Sequence, residues 1–294
     1  MKKSTDKFEN FSTRKTITAI VLAILILIIS RMLSMAIVRL PVTIEIPIAI
    51  KNMIEGTLYI VFSIVGVVLL YKNILKISLS VCKVTGFQLK PIWCMVALIM
   101  PILVSVILIL TPGHWENTSM DKSNIYAAIT ESIFLFGLAG GIVEEMIFRG
   151  VIMSALEHRY NKKIAILAPS ILFASLHIIG RELNFFSIIQ LMVAGSIVGI
   201  LFSLITYESG NIWCSAFIHC IWNIVIGSGI LSIGVTPNKA AIFNYVLDTK
   251  LFLVSGGDFG IEASIVSICV YLIFGGLAIA LSKKKTINRK NMQI

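Results

Sequence analysis

The segment Glu144-Glu145-Met146-Ile147-Phe148-Arg149 places three ionisable side chains inside an otherwise apolar stretch. Residues four apart share one face of a helix, which pairs Glu145 with Arg149 and leaves Glu144 without a partner on its own helix. Charged groups inside a membrane segment are costly and mark functional sites by default. Glu144 is therefore the carboxylate that we expect to face a water-filled cavity and act as a general base.

Two histidines extend this set of chemically useful residues. His177 follows Phe173 by four positions, and His219 precedes Asn223 by four. Beside a carboxylate base, the histidines can orient an attacking water, bind a metal ion or stabilise an oxyanion, and the Asn223 amide can donate to developing negative charge. Glu144, His177 and His219 are also candidate ligands for a divalent metal such as zinc, although the H-E-x-x-H helix spacing is absent. Together these residues predict hydrolysis.

Membrane-spanning helices must position these residues. Of the 294 residues, 57% are hydrophobic and only 14% are charged, and the mean hydropathy is +0.94. A spanning helix needs about 20 apolar residues, and eight runs qualify: 16–38, 54–71, 92–110, 125–156, 164–180, 185–206, 212–232 and 261–281. The long fourth run predicts a tilted helix or an added interfacial turn. We expect an all-α polytopic integral membrane protein with about eight transmembrane helices, a single domain over 1–294, and a catalytic core at about 125–232.

Basic residues orient this topology, because cytoplasmic loops collect Lys and Arg. Eight spans place both termini on one side, which holds seventeen basic residues against six on the other. The seventeen are Lys2, Lys3, Lys7, Arg14, Lys15, Lys72, Lys76, Lys83, Lys90, Arg159, Lys162, Lys163, Lys283, Lys284, Lys285, Arg289 and Lys290. Both termini are expected in the cytoplasm, with anionic lipid headgroups rather than nucleic acid as the partner of the net charge of +10.

The depth of the candidate residues predicts where a cavity would open. From the cytoplasmic ends of their runs, Glu144 and His177 lie about 20 Å deep and His219 about 12 Å deep, at 1.5 Å per helical residue. The three side chains can then meet between the midplane and the cytoplasmic side. The sequence therefore predicts a cavity that opens towards the cytoplasm.

Other polar and small residues receive structural interpretations. We expect Arg31 to reach back to the interface, with docking of a substrate carboxylate as the alternative. The glycines Gly137, Gly140 and Gly141 are expected to permit close helix approach. The five cysteines show no C-x-x-C spacing and are expected to be inert packing thiols, without a disulfide framework or zinc knuckle. The remaining polar residues are interpreted as loop, cap or interface groups: His114, His158, Glu131, Arg181, Glu182 and Glu208.

Three ordered motifs carry a family resemblance. EEMIFRG contains E-E-x-x-x-R, FASLH contains F-x-x-x-H, and HCIWN contains H-x-x-x-N, on successive hydrophobic segments within about 139–224. Together they resemble the CPBP family of intramembrane proteases, which includes type II CAAX prenyl proteases and bacterial bacteriocin-processing or self-immunity (Abi) proteins. The resemblance implies glutamate-dependent or metal-assisted peptide hydrolysis. It makes Glu144 the base, His177 and His219 its partners and Asn223 the oxyanion donor, with Glu145, Arg149 and Phe173 in support.

Three functions of different classes follow from these observations. The first is an intramembrane endopeptidase acting on a peptide or a membrane-protein substrate. The second is a non-proteolytic bacteriocin self-immunity or membrane scaffold protein, and the third is a transporter with a proton relay. The sequence halves show no inverted hydropathy symmetry, which ranks the transporter last. A composition rich in Ile, Lys and Asn, with a Met-Lys-Lys start, favours a bacterial plasma membrane.

Overall fold

Eight helices of 13 to 38 residues dominate the computed structural model, which describes residues 11–41, 45–84 and 86–291, excluding the side chains of 288–291. They are α1 (Thr13–Val38), α2 (Ile48–Leu75), α3 (Pro91–Ile109), α4 (Lys122–Arg159), α5 (Lys162–Leu176), α6 (Phe185–Ser209), α7 (Trp213–Val225) and α8 (Ile265–Asn291). Each corresponds to one of the eight apolar runs. Three of the basic residues counted for the orientation, Lys2, Lys3 and Lys7, lie outside the described residues.

Polar residues mark where several of these helices begin. The first backbone N–H groups of a helix lack intrahelical partners, and a short polar side chain at the N-cap accepts from one of them. Five side chains of the described residues act in this way: Ser12 before α1, Asp121 before α4, Asn161 before α5, Asn184 before α6 and Ser264 before α8. The same composition signals that separate the apolar runs therefore set the helix boundaries.

Six of the eight helices are long and apolar enough to span a membrane, namely α1, α2, α3, α4, α6 and α8. This confirms a multi-pass membrane protein but not the count of eight spans. Helix α5 has 15 residues and α7 has 13, so they extend about 22 Å and 20 Å against a hydrocarbon core of about 30 Å. Both apolar runs continue past the C-terminal ends of the helices, which is why the sequence overestimated the lengths of α5 and α7.

Helix α4 carries the E-E-x-x-x-R motif. Neither an interfacial turn nor a break interrupts it, and its 38 residues form one continuous helix. Its length is accommodated by two π-helical segments, Glu131–Gly140 and Met146–Ile152, which flank the α-helical residues Gly141–Glu145. π-helical turns are uncommon and occur frequently at functional sites. The two glutamates thus lie between two wide turns of the same helix.

The distribution of side-chain sizes fits a lipid environment. On α1 the buried residues are small, including Ala19, Ala23, Ser30 and Ser34, whereas large apolar residues such as Met32 are exposed. Helices in membranes pack through small residues, because burying large apolar side chains gains little over contact with lipid tails. The exposed apolar surface is therefore the surface that lipid covers.

The helices run between two ends of the molecule. At the first, named here the terminal end, Phe11 N–H donates to the carbonyl of His158 (3.3 Å), and Lys90 Nζ lies 2.6 Å from Glu208 Oε1. The start of α1, the last turns of α8 and the connections 76–84, 86–90, 160–161 and 210–212 meet here. The opposite end, or loop end, is formed by residues 39–41, 45–47, 110–121, 177–184 and 226–264.

A small sheet at the loop end corrects the all-α expectation. Strand β1 (Gly113–Asn117) pairs antiparallel with β3 (Phe243–Leu247), and β2 (Leu231–Gly234) pairs parallel with β3. The strand order is β1-β3-β2. Two of the strands lie in the long connection between α7 and α8, whose backbone groups need hydrogen-bond partners once they leave a helix. Strands of four or five residues are too short to show a periodic pattern.

Gly141 brings α4 against α7. A Cβ atom at this position would lie 2.6 Å from Cys220 Sγ and 2.8 Å from the Cys220 backbone nitrogen. No larger residue fits without separating the two helices. The close approach expected from the glycine series is therefore present at Gly141, three residues before Glu144. The residue that Gly141 faces on α7 is Cys220, which directly follows His219.

Substituting Gly141→Ala should destabilise the protein by about 1–3 kcal/mol, because overpacking forces backbone shifts. The apparent melting temperature of the purified protein in detergent measures the effect. Gly276→Ala on α8 is the matched control, since no atom lies within 4 Å of its ideal Cβ position. Equal melting temperatures for the two variants would show that the α4–α7 contact can relax without cost.

Candidate active site

A buried ion pair between Glu145 and Arg149 forms the base of the site. Arg149 Nη1 donates to Glu145 Oε1 at 2.6 Å, and the two side chains are 0% and 1% exposed for Glu145 and Arg149, respectively. Arg149 Nη2 donates to the Gly199 carbonyl on α6 (3.1 Å). The guanidinium also lies 4.8 Å from the ring centre of Phe173 and 5.1 Å from that of Phe202. The pair therefore joins α4 to α5 and α6.

His219 connects this ion pair to Glu144. Its Nδ1 lies 3.3 Å from Glu145 Oε1, and its Nε2 lies 3.8 Å from Glu144 Oε2. An ion-paired carboxylate accepts hydrogen bonds, so Nδ1 is assigned the proton and Nε2 presents a lone pair towards Glu144 in the neutral ring. Phe202 stacks on the imidazole at 4.9 Å and an interplanar angle of 24°. The tautomer and plane of His219 are thus both fixed.

Glu144 differs from its neighbour in having no Lys or Arg within ion-pair distance in the part of the chain that the structure describes. Its side chain is 25% exposed, and its Oε2 atom is buried without a hydrogen-bond partner. The 3.8 Å to His219 Nε2 exceeds a direct hydrogen bond. Glu144 also lines the cavity, so its exposed part, rather than the buried Oε2, is the part that water in the cavity can reach.

His177 lies at the C-terminal cap of α5 rather than within a span. Its Nδ1 is 2.8 Å from the carbonyl oxygen of Phe173, one turn earlier. A carbonyl oxygen only accepts, so Nδ1 donates and Nε2 is the ring nitrogen left without a bond to the helix. The Phe173 ring lies 4.6 Å from the His177 ring and 5.9 Å from the His219 ring. Phe173 thus separates the two histidines and shapes the wall between them.

Asn223 faces the same space from α7, one turn after His219. Its Nδ2 donates to the carbonyl of Phe136 on α4 (3.0 Å). A primary amide has two N–H donors, so one remains for a ligand. Asn223 lies between Gly140 and Gly227, whose ideal Cβ positions are 3.4 Å from Nδ2 and 3.5 Å from Oδ1. The two glycines leave room beside the amide.

A cavity of about 350 Å³ joins these residues. Glu144, Phe173, His177, His219 and Asn223 all line it, whereas Glu145 and Arg149 lie behind its wall. Residues of the loop end, among them Arg181, Gly227, Phe259 and Glu262, line the rest. The lining thus extends to the loop end, whereas the cytoplasmic opening expected from the sequence stays a prediction. The depth expected for His177 differs from its place in the structure, because α5 ends one residue before it.

The predicted metal ligands do not form a ligand set. Among residues 11–41, 45–84 and 86–291, no group of three His, Cys, Asp or Glu side chains is arranged to hold one metal ion. Phe173 packs between the rings of His177 and His219, and zinc sites in hydrolases use three protein ligands about 2 Å from the metal. The residues present do not fit a zinc centre, and no chemical step below is derived through one.

Sequence reasoning missed several cavity residues. Arg31 forms an ion pair with Glu55 and lies 5.8 Å from the ring centre of Tyr59, which also lines the cavity. Arg181 and Phe259 line it from the loop end. A charge inside the first apolar run was the available signal for Arg31, which was assigned to the interface. No sequence pattern links Tyr59, Arg181 and Phe259 to the site, because they come from loops or from helices far away in the chain.

Substituting Arg149→Met should lower the free energy of unfolding by about 3–5 kcal/mol, because it leaves the buried Glu145 carboxylate without its counter-ion. Denaturant unfolding in mixed micelles measures the loss. The double variant Glu145→Gln, Arg149→Met removes both charges and should recover part of it. A double variant no more stable than Arg149→Met would show that the unpaired charge is not the source of the destabilisation.

Comparison with known proteins supports the family resemblance. Residues 127–225, which are 99 of the 294 residues, match one family, described as type II CAAX prenyl endopeptidase Rce1-like. The matched segment extends from α4 to the end of α7 and contains all three motifs. No curated protein and no solved structure matches the chain. The match confirms that this segment is similar to the type II CAAX prenyl endopeptidases, as the resemblance to the CPBP family predicted. It therefore favours a peptidase over the other function classes.

Proposed function

We propose that this protein is an intramembrane endopeptidase that hydrolyses a peptide bond of a membrane-associated substrate with water activated by Glu144. The observation that carries the proposal is the Glu144 side chain in the cavity wall, which is 25% exposed and places its Oε2 atom 3.8 Å from His219 Nε2. A carboxylate without a counter-ion beside an oriented imidazole is the arrangement that removes a proton from water. The match of this segment to an endopeptidase family supports the same reaction.

In the proposed reaction, Glu144 takes one proton from the bound water as the water oxygen bonds to the carbonyl carbon of the substrate. The carbonyl oxygen becomes an oxyanion, and the second N–H of Asn223 donates to it. Collapse of the tetrahedral intermediate breaks the C–N bond, and Glu144 returns its proton to the leaving nitrogen. The products are a carboxylic acid and an amine, so the atoms balance without a co-reactant.

The histidines have separate roles in this proposal. His219 holds the water through Nε2, and its orientation depends on Glu145 and Phe202. His177 Nε2 accepts a hydrogen bond from the substrate N–H or, once protonated, donates to the oxyanion. Glu145 and Arg149 do not touch the substrate and act as positioning residues.

The substrate class follows from the cavity and the family match. Apolar and aromatic side chains line much of the cavity, including Leu191, Val198 and Phe202. Such a wall suits an apolar peptide segment or a peptide that carries a lipid chain. The family description names prenylated CAAX substrates, and an unmodified bacterial peptide is the other member of the proposed class.

Substituting Glu144→Gln should abolish cleavage, with a loss of at least about 100-fold, because general-base catalysis typically contributes that much. Mass spectrometry of peptides released by cells expressing the wild type or the variant, with matched membrane abundance, measures the loss. Glu116→Gln in the exposed strand β1 is the control. Undiminished cleavage by both Glu144→Gln and His219→Ala would refute the mechanism.

The eight-span topology is part of the proposal. Helix α4 ends at the terminal end, and α6 begins at the loop end, so α5 must cross between them. Helix α7 likewise carries the chain from the end of α6 back to the loop end. Both short helices are flanked by longer ones, and Ile212 before α7 donates its N–H to the Lys83 carbonyl at the terminal end (3.2 Å). Eight crossings place both termini on one side.

The orientation of the cavity follows from this topology. The terminal end carries most of the basic residues, so the positive-inside rule assigns it to the cytoplasm. The lining of the cavity extends to the loop end. We therefore infer that substrates enter from the extracytoplasmic side of the membrane.

A membrane-impermeant maleimide tests this orientation on intact cells, with the native cysteines replaced by alanine. The Glu182→Cys variant, at the loop end, should be labelled in intact cells. The Lys283→Cys variant, in the last turns of α8, should be labelled only after permeabilisation, because the reagent cannot reach the cytoplasm. The reverse pattern would place the cavity mouth in the cytoplasm.

A further inference from the structure

Two arginines line the cavity, and they differ in what balances their charge. Arg31 forms an ion pair with Glu55, whose side chain is 14% exposed. Arg181 is exposed, and no carboxylate of the described residues lies within ion-pair distance of its guanidinium. Its contact is instead with an aromatic ring, since its guanidinium carbon lies 4.7 Å from the ring centre of Phe259. Arg181 is thus the cavity arginine that has no fixed anion.

We propose that Arg181 is a specificity-determining residue that binds an anionic oxygen group of the substrate at the cavity mouth. This inference rests on the proposed peptidase function. A carboxylate of a peptide, at its C-terminus or on a side chain, has the required chemistry, and so has the phosphate of a lipid headgroup.

The position of Arg181 fits this role. It follows His177 by four residues, and the Phe259 ring lies between them, with its centre 6.4 Å from that of the His177 ring. The guanidinium is therefore close enough to His177 that a few residues of extended peptide, at about 3.3 Å each, would separate a bound anion from the cleaved bond. An anion held at Arg181 would set which bond reaches Glu144.

The surroundings of Arg181 keep its donors available. Phe259 contacts the guanidinium through its ring, 4.7 Å from the guanidinium carbon, and a guanidinium keeps five N–H donors in the plane of the group. Such a planar set of donors binds a carboxylate or phosphate through two parallel hydrogen bonds. Lysine would keep the charge but would lose both the stacking and the paired geometry.

The loop that carries Phe259 is tied to the start of α6. Asn184 N–H donates to Asp258 Oδ2, and Asp258 N–H donates to Ser187 Oγ, both at 2.9 Å. Gly260 has φ +101°, a left-handed conformation that favours glycine. The Phe259 ring that contacts Arg181 is therefore positioned by the two hydrogen bonds of Asp258 and by the left-handed backbone of Gly260.

The charge inside the cavity explains why an anion would stop at the mouth. Glu144 has an unpaired oxygen atom deeper in the cavity, and Glu262 is a second carboxylate in the wall, where its Oε2 accepts from Trp222 Nε1 (3.0 Å). Like charges repel strongly where little water screens them. An anionic group is thus attracted by Arg181 and repelled from the catalytic carboxylate, which fixes the direction of the bound peptide.

Paired peptide probes test this inference on the full chain in nanodiscs of neutral lipid. The probes are one farnesylated, fluorescence-quenched CAAX peptide with a free C-terminal carboxylate and the same peptide with a C-terminal amide. For the wild type, KM should be about tenfold lower for the carboxylate probe, the effect of one charge-assisted hydrogen-bonded pair. Arg181→Gln should bring the ratio of the two KM values to about one, with kcat changed less than about twofold, because binding alone is lost. Arg181→Lys should retain part of the preference, and Arg39→Gln, an exposed cation outside the cavity, should retain all of it.

Binding to the Glu144→Gln protein separates this inference from the proposed function. If the wild type cleaves neither probe, the proposed function fails for this substrate, while fluorescence anisotropy still measures whether Arg181→Gln removes the preference for the carboxylate. Added phosphatidylglycerol distinguishes the second source of the anion. Competition with the carboxylate probe that depends on Arg181 would identify a lipid phosphate as a ligand. A probe preference unchanged by Arg181→Gln, without an effect of anionic lipid, would overturn the inference.

Discussion

The buried ion pair between Glu145 and Arg149 is the interaction on which the rest of the site depends. Two charges so far from water are tolerated only when each is compensated. Arg149 meets this requirement with Glu145, the Gly199 carbonyl and the rings of Phe173 and Phe202. Because those partners belong to three helices, one electrostatic requirement holds α4, α5 and α6 together. It also leaves Glu145 Oε1 as the acceptor that orients His219.

This pair gives two adjacent glutamates opposite environments. Glu145 is fully buried, paired with Arg149 and in contact with His219. Glu144 is partly exposed to the cavity, and no Lys or Arg of the described residues lies within ion-pair distance of it. One residue along a helix corresponds to a rotation of about 100°, so neighbours on the chain face different sides. The helix between two π-helical segments therefore separates a fully buried, ion-paired carboxylate from a carboxylate that lines the cavity.

Small residues allow the charged groups to meet. Gly141 admits the backbone of α7 beside α4, and Gly199 on α6 lies so close to Ser170 on α5 that an added Cβ would be 2.8 Å from the Ser170 Cβ. Bulkier residues would separate these helices and would lengthen the distances among Glu144, Glu145 and His219. Packing by small residues is how membrane helices associate in the absence of a hydrophobic drive. In this protein the same packing sets the geometry of the polar site.

The sequence by itself determined the membrane class, the positions of the eight helices and the residues of three motifs, because hydropathy and spacing within one helix are local properties. It also determined the pairing of Glu145 with Arg149, since residues four apart share a helix face. Only the tertiary structure decided that α5 ends before His177, that Phe173 separates the two histidines, and that the cavity extends to the loop end. The contributions of Tyr59, Arg181 and Phe259 were likewise out of reach, because they depend on contacts between segments far apart in the chain. Such contacts are set by how helices and loops pack, and hydrophobic pattern does not specify that packing.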